Sequence, residues 1–294
     1  MTVSRYPATA RDWLEGARPH TWANAFAPVI AGSGAAAAGF NAGRALLALI
    51  VAWALIVGVN YANDYSDGIR GTDDDRTGPQ RLTGGGIAKP EHVKMAAFAS
   101  FAVAGAAGIA LSLAANAAWM ILVGALCIAA AWFYTGGKNP YGYRGLGEVA
   151  IFIFFGLVAV LGTQYTQAGA VTWEGLALAV GIGLMSASVN LANNIRDIPT
   201  DSQTGKITLA VRLGDAHSRL LFTIALLLPT VLTIALTVKH PIALVSAAYF
   251  PFALKAVRTV NGGATGKALI PVLGLTGRAM LIWAVAAGLG VALS

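Results

Sequence analysis

Charge is scarce in this chain. Only 11% of its 294 residues are Asp, Glu, Lys or Arg, against about 25% in soluble domains. So few charges cannot coat a water-facing surface, which excludes a secreted enzyme, a nucleic-acid-binding domain and a disordered hub. Cysteine is nearly absent: Cys127 stands alone in an apolar stretch, so there is no disulfide framework and no thiolate metal cluster. The four histidines, His20, His92, His217 and His240, share no ligand-like spacing. What fills the chain instead is apolar, with 56% hydrophobic residues and 35 glycines. This is the composition of an all-α polytopic membrane protein.

A membrane-spanning helix needs about 20 mostly apolar residues. Nine such runs are legible, at 22–40, 44–63, 92–114, 117–135, 147–168, 175–196, 217–238, 241–258 and 268–292. They predict one transmembrane domain covering 1–294, entered through a charged N-terminal segment, 1–20. The basic residues support the count. With the N-terminus cytoplasmic, all 20 except Arg44, Lys239 and Arg278 fall on the cytoplasmic side, as the bias of Lys and Arg toward cytoplasmic loops requires. The net charge of +7 therefore reads as topology, not as affinity for nucleic acid. The expected location is the cell (plasma) membrane.

Two long polar connections, 64–91 and 197–215, lie on that same face, whereas the external links are short. The sequences before them repeat. Val59-Asn60-Tyr61-Ala62-Asn63-Asp64 aligns with Val189-Asn190-Leu191-Ala192-Asn193-Asn194, and Asp67 aligns with Asp197. Both copies end an even-numbered helix, which implies an internal four-helix repeat with a site between the halves. Within each copy the polar residues follow helical spacing: Asn60, Asp64 and Asp67 make one stripe, and Asn190, Asn194, Asp197 and Asp201 another. Gly68 and Gly71 are placed to end the first helix, and Pro199 is expected to interrupt the second.

More than half of the 13 acidic residues belong to these two clusters, as Asp64, Asp67, Asp73, Asp74, Asp75, Asp197 and Asp201. Carboxylates at the membrane are costly and mark function. Two facing acidic clusters repel unless cations sit between them. The ligands are hard oxygens with no histidine near, so Mg²⁺, expected as two ions, is favoured over Zn²⁺. Because Mg²⁺ usually keeps substrate phosphate in its shell, the ligand should be phosphorylated. Arg76, Arg81, Lys138, Arg144, Arg196 and Lys206 are placed to offset the remaining charge, although for each the topological bias is an alternative. A secondary transporter is the rival class; its acids belong at the midplane, and these sit at one face.

At these residues the chain resembles the UbiA superfamily of intramembrane prenyltransferases. Asn63-Asp64-Tyr65-Ser66-Asp67 and Asp197-Ile198-Pro199-Thr200-Asp201 match its paired motifs, with Arg18-Pro19 ahead of the first helix. Gly71 replaces a third motif aspartate, and Asp73 follows. That wording, with Tyr134-Thr135-Gly136-Gly137 and Tyr143-Arg144-Gly145-Leu146-Gly147-Glu148, resembles the menaquinone branch, the 1,4-dihydroxy-2-naphthoate polyprenyltransferases.

The resemblance implies a nine-helix UbiA-type bundle. It implies that a polyprenyl group passes from polyprenyl diphosphate to 1,4-dihydroxy-2-naphthoate, with loss of CO₂ and diphosphate; a UbiA-type prenyltransferase with another aromatic acceptor is the alternative. Metal would be held by Asp64, Asp67, Asp73, Asp197 and Asp201, with Lys206 and Arg144 at the reacting groups. Substrates would be held by Asn60, Asn63, Arg76, Arg81, Lys138, Tyr134, Asn190, Asn194 and Arg196. Arg144 is the expected partner of the acceptor carboxylate or of the diphosphate. Tyr61, Tyr65, Phe133, Tyr134 and Phe154 are candidates to face an allylic cation. The membrane lipid would house the product's tail.

Overall fold

The protein is described as a computed structural model over residues 8–71 and 81–294. The expectations for Asp73, Asp74, Asp75 and Arg76 therefore lie outside the described residues. All regular structure among the described residues is helical. A short α1 (Ala10–Gly16) opens on a capping box in which the Thr9 and Asp12 side chains each bond the other's backbone amide.

Among the described residues seven helices are long and apolar enough to cross a membrane: α3 (Ala42–Arg70), α4 (Pro90–Ala114), α6 (Gly147–Ala168), α7 (Trp173–Asp201), α8 (Leu209–Thr237), α9 (Pro241–Asn261) and α10 (Gly266–Ala292). The other two apolar runs form 14-residue helices, α2 (Ala23–Ala36) and α5 (Met120–Phe133). Fourteen residues reach about 21 Å, short of a ~30 Å hydrocarbon core. The expectation of nine equal spans is corrected to this extent. The first run ends early because Ala37 takes a positive φ of 46°. The fourth gives way to turns around Gly136 and Gly137.

Polar residues start and stop the long helices as the sequence dictates. Asn41 caps α3 through Arg44 N–H, Thr172 caps α7 through Gly175 N–H, and Thr208 caps α8 through Val211 N–H. Gly71, at φ 74°, ends α3 in the left-handed conformation that glycine adopts at little cost. Pro199 does not break α7, contrary to expectation; the helix runs through it to Asp201. A proline this near the end removes only one ladder bond, and the turn is closed by Ser202 N–H on the Ile198 carbonyl and Thr200 Oγ1–H on the Asp197 carbonyl.

Both α3 and α7 are 29 residues long, about 44 Å and longer than the hydrocarbon core. Each carries its polar repeat on its last turns, so Asp64 and Asp67 sit on helix, not on a loop.

Among the described residues two large apolar clusters hold the bundle, with a small third one of Val29, Ala48 and Leu111. One packs Trp283, Tyr249, Phe222, Met280 and Ile182 among α7 to α10. The other packs Tyr61, Phe101, Leu82 and Val93 among α1, α3, α4 and the 81–86 turn. The alanine-rich α2 lies between them, with Ala27 and Ala31 in the first and Ala25 in the second. It comes close enough to α10 that a Cβ on Gly34 would lie 2.4 Å from the Gly288 carbonyl oxygen. Small residues permit such approach where lipid removes the hydrophobic drive between helices.

Candidate active site

A cavity of about 410 Å³ lies between the clusters, lined by residues of α2 to α7. Its walls are apolar over most of their length, from Ala48, Leu111 and Thr166 at one end of the bundle to Val59, Val189 and Phe155. At the other end the lining turns polar, with Asn60, Asn63, Asn190, Asn193 and Tyr134. Those residues belong to the last turns of α3 and α7 and to the chain just after α5. The repeated motif therefore forms the polar head of an apolar chamber.

Among the described residues five carboxylates are buried at this end: Asp64, Asp67, Glu148, Asp197 and Asp201. Their partners divide the labour. Asp64, with no exposure, accepts from Leu82 N–H at 2.9 Å and from Thr83 N–H at 2.8 Å. It folds the 81–86 turn back onto α3. Gly68, one turn along the helix, makes room, since a Cβ there would meet Thr83 at 2.5 Å.

Asp67 accepts the Tyr143 hydroxyl at 2.6 Å. Arg70 and Lys206 each stand 5.5 Å from the Tyr143 ring centre, and Lys206 Nζ is 3.6 Å from Asp201 Oδ1. Tyr143 thus connects the acid at the end of α3 to the acid at the end of α7. Arg196 grips its neighbour Asp197 with two parallel bonds, 2.6 and 2.7 Å, and both are buried. Arg81, the first residue of the 81–86 turn, is buried.

The asparagines carry a second layer of bonds. Asn60 donates to the Ala17 carbonyl and to Thr21 Oγ1, both at 3.0 Å. Asn63 accepts from Thr135 Oγ1 at 2.8 Å. Asn190 and Asn194 both donate to Glu148 Oε1, at 3.0 and 2.6 Å, and Tyr134 donates to Asn190 at 3.4 Å. Tyr141 also lines the cavity. Burial, with Cys127 nearby, pushes its phenol up to about 12, so it stays protonated and serves as a donor, bonding the Ala130 carbonyl.

Tyr143 and Glu148 were both missed as site residues. Both lie in the Tyr143–Glu148 stretch that carries part of the resemblance, and Glu148 is an acid at the mouth of an apolar run, which was the available signal.

Other expected residues are not brought in. Lys138 and Arg144 are exposed and do not line the cavity. The turn Tyr141–Arg144 is a 3₁₀ turn, in which successive side chains point about 120° apart; presenting Tyr143 to Asp67 sends Arg144 outward. An acceptor-binding role for Arg144 does not fit that placement. Among the aromatics, Tyr134 and Phe154 line the cavity. Tyr61 bonds the Trp13 carbonyl, Tyr65 stacks on Trp132 and Phe133 is exposed. Arg278 is exposed too.

The carboxylates of Asp67, Asp197 and Asp201 and the amide oxygen of Asn63 are hard oxygen donors, the chemistry that Mg²⁺ takes. Among the described residues no three of His, Cys, Asp and Glu converge as a closed metal cage. One or two carboxylates per ion, with phosphate oxygens and water completing the shell, is the usual Mg²⁺ arrangement.

The sequence matches the family model for UbiA prenyltransferases over residues 25–283. The chain belongs to the UbiA prenyltransferase family. Among its relatives, the 1,4-dihydroxy-2-naphthoate octaprenyltransferase of Mycobacterium tuberculosis is 57% identical over 95% of this chain and 96% of its own length. The enzyme of the same name from Escherichia coli is 38% identical over 74% of this chain and 73% of its own. The fold is similar to that of a UbiA homolog from Archaeoglobus fulgidus bound to GPP and Mg²⁺, with a TM-score of 0.68 at 15% identity, covering 96% of this chain and 100% of that one. The apo UbiA homolog from Aeropyrum pernix gives the same TM-score at 20% identity, over 92% and 96%. Family membership joins the multi-pass membrane fold and the motif-bearing helix ends in one protein class.

Proposed function

We propose that this protein transfers a polyprenyl group from polyprenyl diphosphate to 1,4-dihydroxy-2-naphthoate, releasing diphosphate and CO₂ and giving demethylmenaquinol for menaquinone synthesis. The observation that carries the reading is the junction of an apolar cavity with two buried acidic helix ends. A prenyl diphosphate has the same two-part character, a hydrocarbon tail and a phosphate head. The extent and identity of the Mycobacterium tuberculosis match support the choice of acceptor.

In this reading Asp67, Asp197 and Asp201, with Asn63, hold two Mg²⁺ ions. When bound, the metal neutralises the diphosphate and makes it a better leaving group. The chain's own groups do the rest. Arg81, Arg196 and Lys206 offset surplus negative charge around the phosphates. Asp64 fixes the 81–86 turn that carries Arg81. The tail lies in the cavity, where each buried CH₂ stabilises binding by about 0.8 kcal/mol.

The allylic C–O bond breaks, and Tyr134 and Phe154 offer their ring faces to the positive carbon. The electron-rich naphthoate ring forms the new C–C bond, and its carboxylate leaves as CO₂, returning an electron pair to the ring. No net proton is required. The site opens to the cytoplasm, with the N-terminus on that side, and α2 and α5 complete nine membrane segments.

The test is a reaction of purified protein with a polyprenyl diphosphate, 1,4-dihydroxy-2-naphthoate and Mg²⁺, read by mass spectrometry. A product lacking the carboxyl and carrying the prenyl group supports the reading. Prenylation only of another aromatic acid replaces the acceptor, and diphosphate that stays intact removes the transferase reading altogether.

A further inference from the structure

Resting on that reaction, we infer that the segment from Arg18 to Asn24 is the acceptor-recognition element and that it reads an aromatic ring bearing a carboxylate beside a hydroxyl. Arg18 takes the carboxylate and the Asn24 amide oxygen takes the hydroxyl hydrogen.

Among the described residues that line the cavity, Arg18 is the one with a charged side chain. A carboxylate entering an apolar chamber must find a cation there or remain in water. Arg144 and Lys138 are exposed and stand outside it. Among the described residues the guanidinium makes one contact, at 3.5 Å from Nη2 to the Asn60 carbonyl. Its planar fork therefore retains donors for a carboxylate, which it matches with two parallel bonds.

The backbone is built to hold it. Arg18 has φ 53°, one of three non-glycine residues with positive φ among the described residues, a conformation that persists where its surroundings enforce it. Its carbonyl accepts both the Thr21 amide and the Thr21 hydroxyl at 2.8 Å, and Asn60 of α3 ties the same segment through Ala17 and Thr21.

Asn24 supplies an independent observation. It is 7% exposed and lines the same cavity. Its Nδ2 donates to the Thr21 carbonyl at 3.0 Å, which fixes the orientation of the amide. Its Oδ1 is buried with no hydrogen-bond partner among the described residues. A buried acceptor left unmatched calls for an explanation, and a ligand hydroxyl provides one. A cation and an oxygen acceptor on one short segment, both facing one cavity, suit adjacent carboxylate and hydroxyl groups on a single ring edge.

The experiment uses the purified full chain in detergent with three stable probes and no prenyl diphosphate: 1-hydroxy-2-naphthoate, 1-naphthol and 2-naphthoate, each titrated by calorimetry. The wild type should bind 1-hydroxy-2-naphthoate about 10- to 100-fold more tightly than 1-naphthol, the range of a charge-assisted bond. Arg18→Ala should abolish that preference and Arg18→Lys should keep part of it. Asn24→Leu should equalise 1-hydroxy-2-naphthoate and 2-naphthoate.

Thermal unfolding of each variant establishes that it folds, and the lysine variant carries the test if the alanine variant does not. Wild-type discrimination retained in either Arg18→Ala or Asn24→Leu overturns the assignment. Turnover of 1,4-dihydroxy-2-naphthoate by the wild type is measured alongside. Absent turnover with an Arg18-dependent carboxylate preference overturns the proposed reaction and keeps the site; normal turnover without that dependence does the reverse.

Discussion

The hydroxyl of Tyr143 donates to Asp67 at 2.6 Å, and the ring beneath that hydroxyl lies 5.5 Å from Lys206, whose ammonium is 3.6 Å from Asp201. One phenol thus joins two acidic clusters that are far apart in the chain. Its hydroxyl orients the Asp67 carboxylate through Oδ1.

Replacing Tyr143 by Phe keeps the ring near Arg70 and Lys206 and removes the hydroxyl that bonds Asp67. Bonds to charged groups contribute about 1.5–3 kcal/mol, so kcat should fall roughly tenfold or more while the midpoint of thermal unfolding moves little. Steady-state kinetics beside a melting curve check this. An unchanged kcat would make Tyr143 a packing residue.

Asp64 and Asp67 should fail in different ways. Asp67→Asn should abolish turnover at every Mg²⁺ concentration, with the 81–86 turn intact. Asp64→Asn loses an acceptor for one of two backbone amides, which frees that turn. Limited proteolysis should then cut Asp64→Asn near residues 81–86 faster than wild type, and Asp67→Asn at the wild-type rate. Equal cleavage of the two variants would contradict the division.

Glu148 is the common acceptor of Asn190 and Asn194. Glu148→Ala takes their shared acceptor from the buried Asn194 amide and the half-buried Asn190 amide, at about 1–3 kcal/mol for the buried group. It should lower the unfolding midpoint and raise KM for both substrates, and Glu148→Gln should recover most of the stability. A Glu148→Ala protein as stable as wild type would show that the asparagines find other partners.

Arg144→Lys should leave both KM values and kcat within about twofold of wild type, since exposed charged groups contribute little. A selective rise in KM for the acceptor would return Arg144 to the acceptor site and displace Arg18.

Much of this was legible in the sequence because the bilayer permits few solutions. Seven of the nine apolar runs became long helices, and the helical spacing of Asn60, Asp64 and Asp67 placed them on one helix end. The short α2 was not legible: its length is set by Ala37 taking a positive φ, and alanine gives no sign of that. The separate duties of Asp64 and Asp67 were hidden as well. Both are motif aspartates in one stripe, and only the returning 81–86 turn and Tyr143 distinguish them. Arg144 and Tyr143 are neighbours, and their opposite fates follow from a 3₁₀ turn whose phase the sequence does not state.

Chelation gives a simple check on the metal. EDTA should stop turnover and Mg²⁺ should restore it, with Zn²⁺ a poor substitute for a site of hard oxygen donors. Turnover that continues in EDTA would remove Mg²⁺ from the account.

The most direct measurement is the stoichiometry of a single-turnover reaction of purified protein with polyprenyl diphosphate, Mg²⁺ and carboxyl-labelled 1,4-dihydroxy-2-naphthoate. The account predicts equal amounts of prenylated quinol, diphosphate and labelled CO₂, all absent in Asp67→Asn. Diphosphate released without a prenylated ring, or product formed equally well by Asp67→Asn, would contradict it.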